Sequence, residues 1–153
     1  MKISRVICIL LLLVFFSNSY SQDDWWKDKK YKDEKTKQKY SLCKKTFKDI
    51  SSGFNYQNIN QINQYFGNEV YLNIISSDKG YYSSNQAELI LTDFMDYFKV
   101  VTFKYKHSYF KNSFAFAIGK YSYDLGSGKR ELNASISLKY KDGYWVVDQI
   151  SIN

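Results

Sequence analysis

The side chain best suited to acid–base chemistry is Asp148, in the apolar run that ends the chain. Asp148 shares strand parity with Val146 and Ile150, so the alternation predicts that its carboxylate faces the apolar side of a sheet. Desolvation on that side would raise its pKa and make it a general base. The competing interpretation is a β-bulge that turns the carboxylate outward.

The second candidate catalytic residue is His107, the only histidine of the chain. Histidine titrates near neutral pH without further help. However, His107 ends a strand pattern beside Lys106 and Ser108, which predicts a side chain in solvent. A single histidine excludes a histidine-rich metal site. No motif indicates a cofactor, so we expect neither cofactor nor metal.

Cys43 is the other side chain that could act as a nucleophile. It recurs with Tyr40, Phe47 and Ile50 at spacings of three and four residues, which places all four on one face of a helix. No base accompanies it in the sequence. The pattern therefore predicts a core residue.

The first 21 residues have the order of a secretory signal peptide. Two positive charges precede an apolar run, Val6–Phe16, and small polar residues follow it. The apolar run is shorter than the roughly 20 residues that a membrane-spanning helix needs. We expect cleavage before Gln22 and export to the periplasm or out of the cell.

The rest of the chain is expected to form an arm and one domain. Residues 22–32 predict an exposed, poorly ordered arm, and residues 33–153 have the length of a single domain. Trp25 and Trp26 leave two alternatives open, namely contact with an anionic lipid surface and packing back on the domain. The net charge of +7 lies mostly towards this end, but an exported protein seldom meets nucleic acid, so no nucleic-acid partner is expected.

Hydrophobic periodicity predicts two helices, a short strand pair, a third helix and then four antiparallel strands. The capping box Ser83 and Gln86 marks the start of the third helix. The first two helices are expected at about 33–51 and 57–66, a strand pair at 69–75 and 81–82, and four strands in the final third of the chain. An antiparallel sheet with one apolar face needs a cover, and the helices supply it. The sequence therefore predicts an α+β roll.

This roll resembles the nuclear transport factor 2-like, or cystatin-like, superfamily. A closer resemblance lies in the stretch Tyr82–Glu88 and the closing segment Tyr144–Ile150. Both are similar to a small family of exported proteins from Bacteroidetes-type bacteria that is known as a domain of unknown function. The resemblance extends from Ser41 to Asn153.

The resemblance implies a cone-shaped pocket between the helices and the concave face of the sheet. Some members of the superfamily, such as ketosteroid isomerase and scytalone dehydratase, are enzymes, whereas others only bind. We expect a non-catalytic binding module of the bacterial cell envelope, which holds a small apolar ligand in the cone or forms a homodimer through the sheet. Tyr121 and Tyr123 are the expected contacts of that dimer. The alternative is an isomerase, dehydratase or hydrolase with Asp148 as its base.

Overall fold

The chain folds as helices placed on one side of a single sheet. The computed structural model describes residues 25–27, 29–77 and 79–153. The predicted signal peptide lies outside the described residues. In chain order the elements are α1 (Glu34–Asn55), α2 (Asn60–Asn63), β1 (Phe66–Ile74), β2 (Gly80–Ser83), α3 (Ser84–Tyr97), β3 (Val100–Phe110), β4 (Phe114–Asp124), β5 (Lys129–Lys141) and β6 (Tyr144–Ile152).

The predicted order of elements is confirmed, but the first two helices have other limits. The sequence predicts that the first helix ends at about residue 51, whereas α1 continues through Gly53 to Asn55. A Cβ atom on Gly53 would lie 2.5 Å from Cγ1 of Ile62, so glycine serves the close approach of α2 here and not the end of the helix. Phe66, expected on the second helix, instead begins β1.

Side-chain caps define where the two longer helices start. The Asp33 carboxylate accepts a hydrogen bond from the backbone N–H of Thr36 at 2.8 Å, and this bond lowers the pKa of Asp33. At α3 the predicted capping box is present. The backbone N–H of Gln86 donates to the Ser83 hydroxyl at 3.4 Å, and that of Ser83 donates to the Gln86 amide at 3.1 Å. Both caps satisfy donors that a helix start leaves free.

The sheet has the strand order β2-β1-β6-β5-β4-β3. All neighbours are antiparallel except β1 and β6, which run parallel. Gly119 of β4 pairs with Tyr105 where β3 is bulged, and a Cβ atom at this position would lie 2.2 Å from the Lys104 carbonyl oxygen. Only glycine therefore fits this bend.

The edge strand β3 is held by a side chain of α1. The amide of Asn55 donates to the Phe103 carbonyl at 2.9 Å and accepts from the Phe103 N–H at 2.8 Å. It thus pairs both backbone groups of one residue, as a further strand would. These two hydrogen bonds do not affect the hydrophobic pattern, so the sequence did not predict them.

Candidate functional site

The interior of the predicted cone is filled by aromatic side chains. Tyr121 of β4 is fully buried, and so are Phe54 of α1 and, almost completely, Phe103 of β3. The Tyr121 ring centroid lies 6.0 Å from that of Phe54 and 4.9 Å from that of Phe94. Its hydroxyl donates to the Phe98 carbonyl at 2.6 Å, and burial raises its pKa. These contacts occupy the space in which a small apolar ligand was expected.

One end of the cone is closed by the arm. Residues 22–32 were predicted to be exposed and poorly ordered, but Trp26 is only 5% exposed. Its ring centroid lies 5.0 Å from Tyr40 of α1, and that of Trp25 lies 4.8 Å from Tyr105 of β3. The prediction is therefore wrong for these tryptophans. Of the two alternatives for them, packing back on the domain is the one observed, because burying two indoles stabilises the aromatic end of the core.

The arm is also fixed by polar contacts. The Ser108 hydroxyl donates to the Trp25 carbonyl at 2.8 Å. The Tyr40 hydroxyl donates to the Lys27 carbonyl and accepts from the Lys29 N–H at 3.1 Å. Two buried donors at this end, Nε1 of Trp26 and the hydroxyl of Tyr105, have no hydrogen-bond partner among the residues that the structure describes. Burial raises the pKa of Tyr105 far above its ordinary value and keeps the phenol neutral.

Asp148 does not face the apolar side of the sheet. Leu138 pairs with Val147 and Ser137 with Gln149, so Asp148 is an extra residue with no partner of its own on β5. This bulge reverses the strand parity, and the Asp148 carboxylate points to the outer face, 2.7 Å from Nζ of Lys139. The prediction of a base inside the cone is wrong, and the bulge named as the competing interpretation is its physical reason.

His107 and Cys43 occupy the environments predicted for them. His107 is exposed and pairs with Ile118 on the outer face. Cys43 is completely buried on α1, and burial raises the pKa of its thiol. A thiol held neutral in this way is a poor nucleophile. Asp148, His107 and Cys43 are thus not brought together.

The tyrosines expected at a dimer contact point inward. Tyr121 is fully buried and Tyr123 is 7% exposed, so this expectation is wrong. The reason lies in β4, whose small residues Ala115 and Ala117 face the helices. They leave room for rings from neighbouring elements, such as Phe110, which pairs with Ala115. Tyr121 and Tyr123 have the same strand parity as these alanines and therefore also face inward.

The residues of β4 that alternate with these inward-facing ones put large apolar side chains on the outer face. Tyr109 and Phe116 are 41% and 36% exposed and stack with centroids 5.4 Å apart. Phe114 lies 6.1 Å from Phe116 between ring centroids, and Ile118 is 41% exposed. We call these four residues the outer patch. The alternation of β4 separates these large residues from Ala115 and Ala117, but it does not show which of the two sets faces the helices.

An open groove of about 1010 Å³ lies beside the outer patch on the same face. Phe114 belongs to both the patch and the groove. Val146 and the Lys139–Asp148 ion pair form part of the groove, and Glu69 of β1 lines it as well. Ser137 and Gln149, which are half-buried, cover the middle of the sheet. The outer face therefore presents a ridge of rings next to a depression.

A second concavity lies at the end of β4 away from the arm. It is a cleft of about 430 Å³ between α3, the end of β1 and the β4–β5 hairpin. Phe94, Phe98 and Tyr123 form its apolar wall, and Asp93 and Arg130 bring charge to it. Asp93 is exposed at this cleft.

Neither a metal centre nor a membrane span is found in the part of the chain that the structure describes. Across residues 25–27, 29–77 and 79–153, no three side chains among His, Cys, Asp and Glu are grouped so as to hold a metal ion. No helix within the same ranges is both long and apolar enough to cross a membrane.

Comparison with known proteins identifies the family. The family described as a domain of unknown function, DUF4783, matches residues 47–153. A comparison with curated proteins gives no significant match.

Solved structures agree with this family and show the fold. A DUF4783 family protein from Bacteroides uniformis has 22% identity and a TM-score of 0.63, over 69% of this chain and 94% of its own. One from Bacteroides fragilis has 22% identity and a TM-score of 0.60, over 68% and 93%. An NTF-2-like protein of unknown function from Shewanella oneidensis has 11% identity and a TM-score of 0.54, over 73% and 96%. The chain therefore belongs to the DUF4783 family and has the nuclear transport factor 2-like α+β fold.

Proposed function

We propose that the protein is a non-catalytic binding module of the bacterial cell envelope, and that it binds through the outer face of its sheet. The observation that carries this proposal is the outer patch. Four large apolar side chains stand together there, although the fold does not need them for its core. Contiguous apolar surface of this kind marks interaction sites, and aromatic residues are enriched in them.

The partner that fits this face best is a second copy of the chain. An interface with two-fold symmetry must be self-complementary. The outer face carries a ridge, the outer patch, and a depression, the groove beside Phe114. In a two-fold arrangement the ridge of each copy enters the groove of the other. Tyr109 and Phe116 supply the rings, in place of Tyr121 and Tyr123, which were expected there from the sequence.

Catalysis has less support than binding. A base in the cone would need a carboxylate on the inner face, and the residue proposed for it, Asp148, is paired with Lys139 outside. The interior that would receive a substrate holds Tyr121, Phe54 and Phe103. Both observations favour a protein that binds over an isomerase, dehydratase or hydrolase.

The experiment that tests this function is sedimentation equilibrium over a range of concentrations. We expect the wild-type protein, residues 22–153, to sediment as a dimer and Phe116→Ser to sediment as a monomer. Tyr56→Ser is the matched control, because Tyr56 is 78% exposed at the end of α1, a helix that packs on the opposite face of the sheet; it should remain dimeric. A wild-type protein that stays monomeric at the highest concentration, or a Phe116→Ser variant that still dimerises, contradicts the proposal.

The assignment to the cell envelope is supported by the first 21 residues. Their charge, apolar run and small residues have the order that a signal peptidase recognises. Fractionation of the native host followed by sequencing of the amino terminus tests it directly. Export predicts a mature protein that begins at Gln22 and is found outside the cytoplasm, whereas a full-length cytoplasmic chain contradicts it.

A further inference from the structure

The cleft at the end of the cone has the character of a small-molecule site. Its volume of about 430 Å³ lies within the range of ligand pockets, which is roughly 300–1,000 Å³. The Phe98 and Tyr123 rings meet at its wall with centroids 5.0 Å apart. Tyr97 and Leu125, both lining the cleft, remain 65% and 44% exposed. The walls thus offer apolar surface that the fold leaves in contact with water.

A cationic side chain that has no acidic partner among the described residues stands at this cleft. Arg130 pairs across the hairpin with Tyr123, and cross-strand partners lie on the same face of a sheet. Within the described residues, its one hydrogen bond goes from Nη2 to the Ser127 hydroxyl at 3.5 Å, and no carboxylate lies within ion-pair distance. Its guanidinium is therefore available to a ligand.

The turn after β1 brings two hydroxyls to the cleft, those of Ser76 and Ser77. The Ser77 hydroxyl donates to the Ile74 carbonyl at 3.0 Å and keeps its lone pairs as acceptors. The positive φ of Ser76, 66°, belongs to the same turn, which the Ser77 N–H closes by donating to the Ile74 carbonyl at 3.0 Å.

We propose that this cleft binds a small amphipathic monocarboxylate. Its apolar body lies against Phe94, Phe98 and Tyr123, and its carboxylate accepts two hydrogen bonds from the planar fork of Arg130, the geometry in which arginine binds carboxylates best. Asp93 stands at the same cleft on α3. Its negative charge weakens the binding of an anion and selects against a ligand with a second carboxylate.

The test compares two ligands that differ only in charge, by calorimetric titration of residues 22–153. The probes are 4-phenylbutyrate and the uncharged 4-phenylbutan-1-ol. We expect the wild-type protein to bind the acid about tenfold more tightly than the alcohol, the effect of one charge-assisted pair. Arg130→Gln should lower the affinity for the acid to that for the alcohol and leave the alcohol unchanged. Asp93→Asn should bind the acid more tightly than wild type.

Lys129→Gln is the matched control, because it removes one positive charge at the neighbouring position of the same strand, on the opposite face. It should bind the acid as wild type does. Amide chemical shifts of Ser76, Gly126 and Gly128 place the probe, and each should move in the wild-type titration. Equal affinity for acid and alcohol, no binding of either at millimolar concentration, or equal losses in Arg130→Gln and Lys129→Gln would each overturn the proposal. All three substituted positions are exposed, so circular dichroism is expected to show folded variants.

Discussion

The two faces of the sheet use aromatic side chains in different ways. On the inner face Phe103 and Tyr121 are buried against the helices, and each of these two rings has three ring neighbours. On the outer face Tyr109 and Phe116, from the same two strands, stack only on each other and on Phe114, and stay partly exposed. The inner rings therefore stabilise the fold, whereas the outer rings are free to bind. The difference shows that aromatic richness alone does not indicate a ligand pocket.

We expect the largest difference in the free energy of unfolding between substitutions at Phe103 and at Phe116, which lie on neighbouring strands and on opposite faces of the sheet. Phe103→Ala leaves a cavity in the core and should lower the free energy of unfolding by about 4 kcal/mol. Phe116→Ala removes a partly exposed ring and should change it by about 0.5 kcal/mol or less. Urea unfolding of both variants at a concentration that keeps them monomeric measures the difference. Equal losses would mean that the two faces are not distinct.

Gly119→Ala tests how closely the inner side of β4 is packed. The added methyl group would meet the Lys104 carbonyl oxygen, which is backbone and has little freedom to move. We expect a loss of about 3 kcal/mol, at the upper end of the range for overpacking. Ser137→Ala, on the outer face of β5, is the control and should stay within about 0.5 kcal/mol. Thermal unfolding of the two variants compares them, and an unchanged Gly119→Ala protein would contradict the bend described for β3 and β4.

Two tyrosine-to-phenylalanine changes on the inner face should have opposite signs. Tyr121→Phe removes the donor to the Phe98 carbonyl and leaves that carbonyl unpaired, which should lower stability by about 1–2 kcal/mol. Tyr105→Phe removes a buried hydroxyl that has no partner and should be neutral or stabilising by up to about 1 kcal/mol. Urea denaturation gives both values. A destabilising Tyr105→Phe would indicate that a bound group pairs with this hydroxyl.

The same tyrosines predict a loss of stability in alkaline solution. Burial raises the pKa of Tyr105 and of Tyr121 above the ordinary value of 10.0, so the folded state keeps these phenols protonated. Their contribution is complete below the pKa of the unfolded chain, near 10, and is lost as the pH rises from there towards the folded pKa. The free energy of unfolding of wild type should therefore fall as the pH rises above about 10. A double Tyr105→Phe, Tyr121→Phe variant should show a smaller fall, and an equal one would contradict this cause.

Much of the architecture follows from local patterns, because helices and strands have different periods. The spacing of Tyr40, Cys43 and Phe47 predicted the buried face of α1, and Ser83 with Gln86 predicted the start of α3. Both predictions are confirmed. These features depend on residues within one or two turns of each other, so the sequence contains the whole cause.

The site could not be predicted in the same way, since it depends on contacts between distant segments. The direction of Asp148 is set by a bulge against Ser137 and Leu138, and alternation alone assumes an unbroken strand. The rings that neighbouring elements place over Ala115 and Ala117 decide which residues of β4 face the helices. A period of two does not show which of the two alternating sets faces inward. The burial of the arm could not be predicted for the same reason, because it depends on contacts with Tyr40 and Tyr105, which lie on other elements.

Hydroxyl-radical footprinting distinguishes the outer face, where we propose binding, from the interior of the cone, which Tyr121, Phe54 and Phe103 fill. Oxidation of individual rings is measured by mass spectrometry at low and at high concentrations of residues 22–153. We expect oxidation of Tyr109 and Phe116 to fall as the concentration rises, because the proposed dimer covers them. Oxidation of Tyr56 and Tyr97, which are 78% and 65% exposed elsewhere, should stay constant. Constant oxidation of all four rings, or protection of Tyr97 alone, would contradict it.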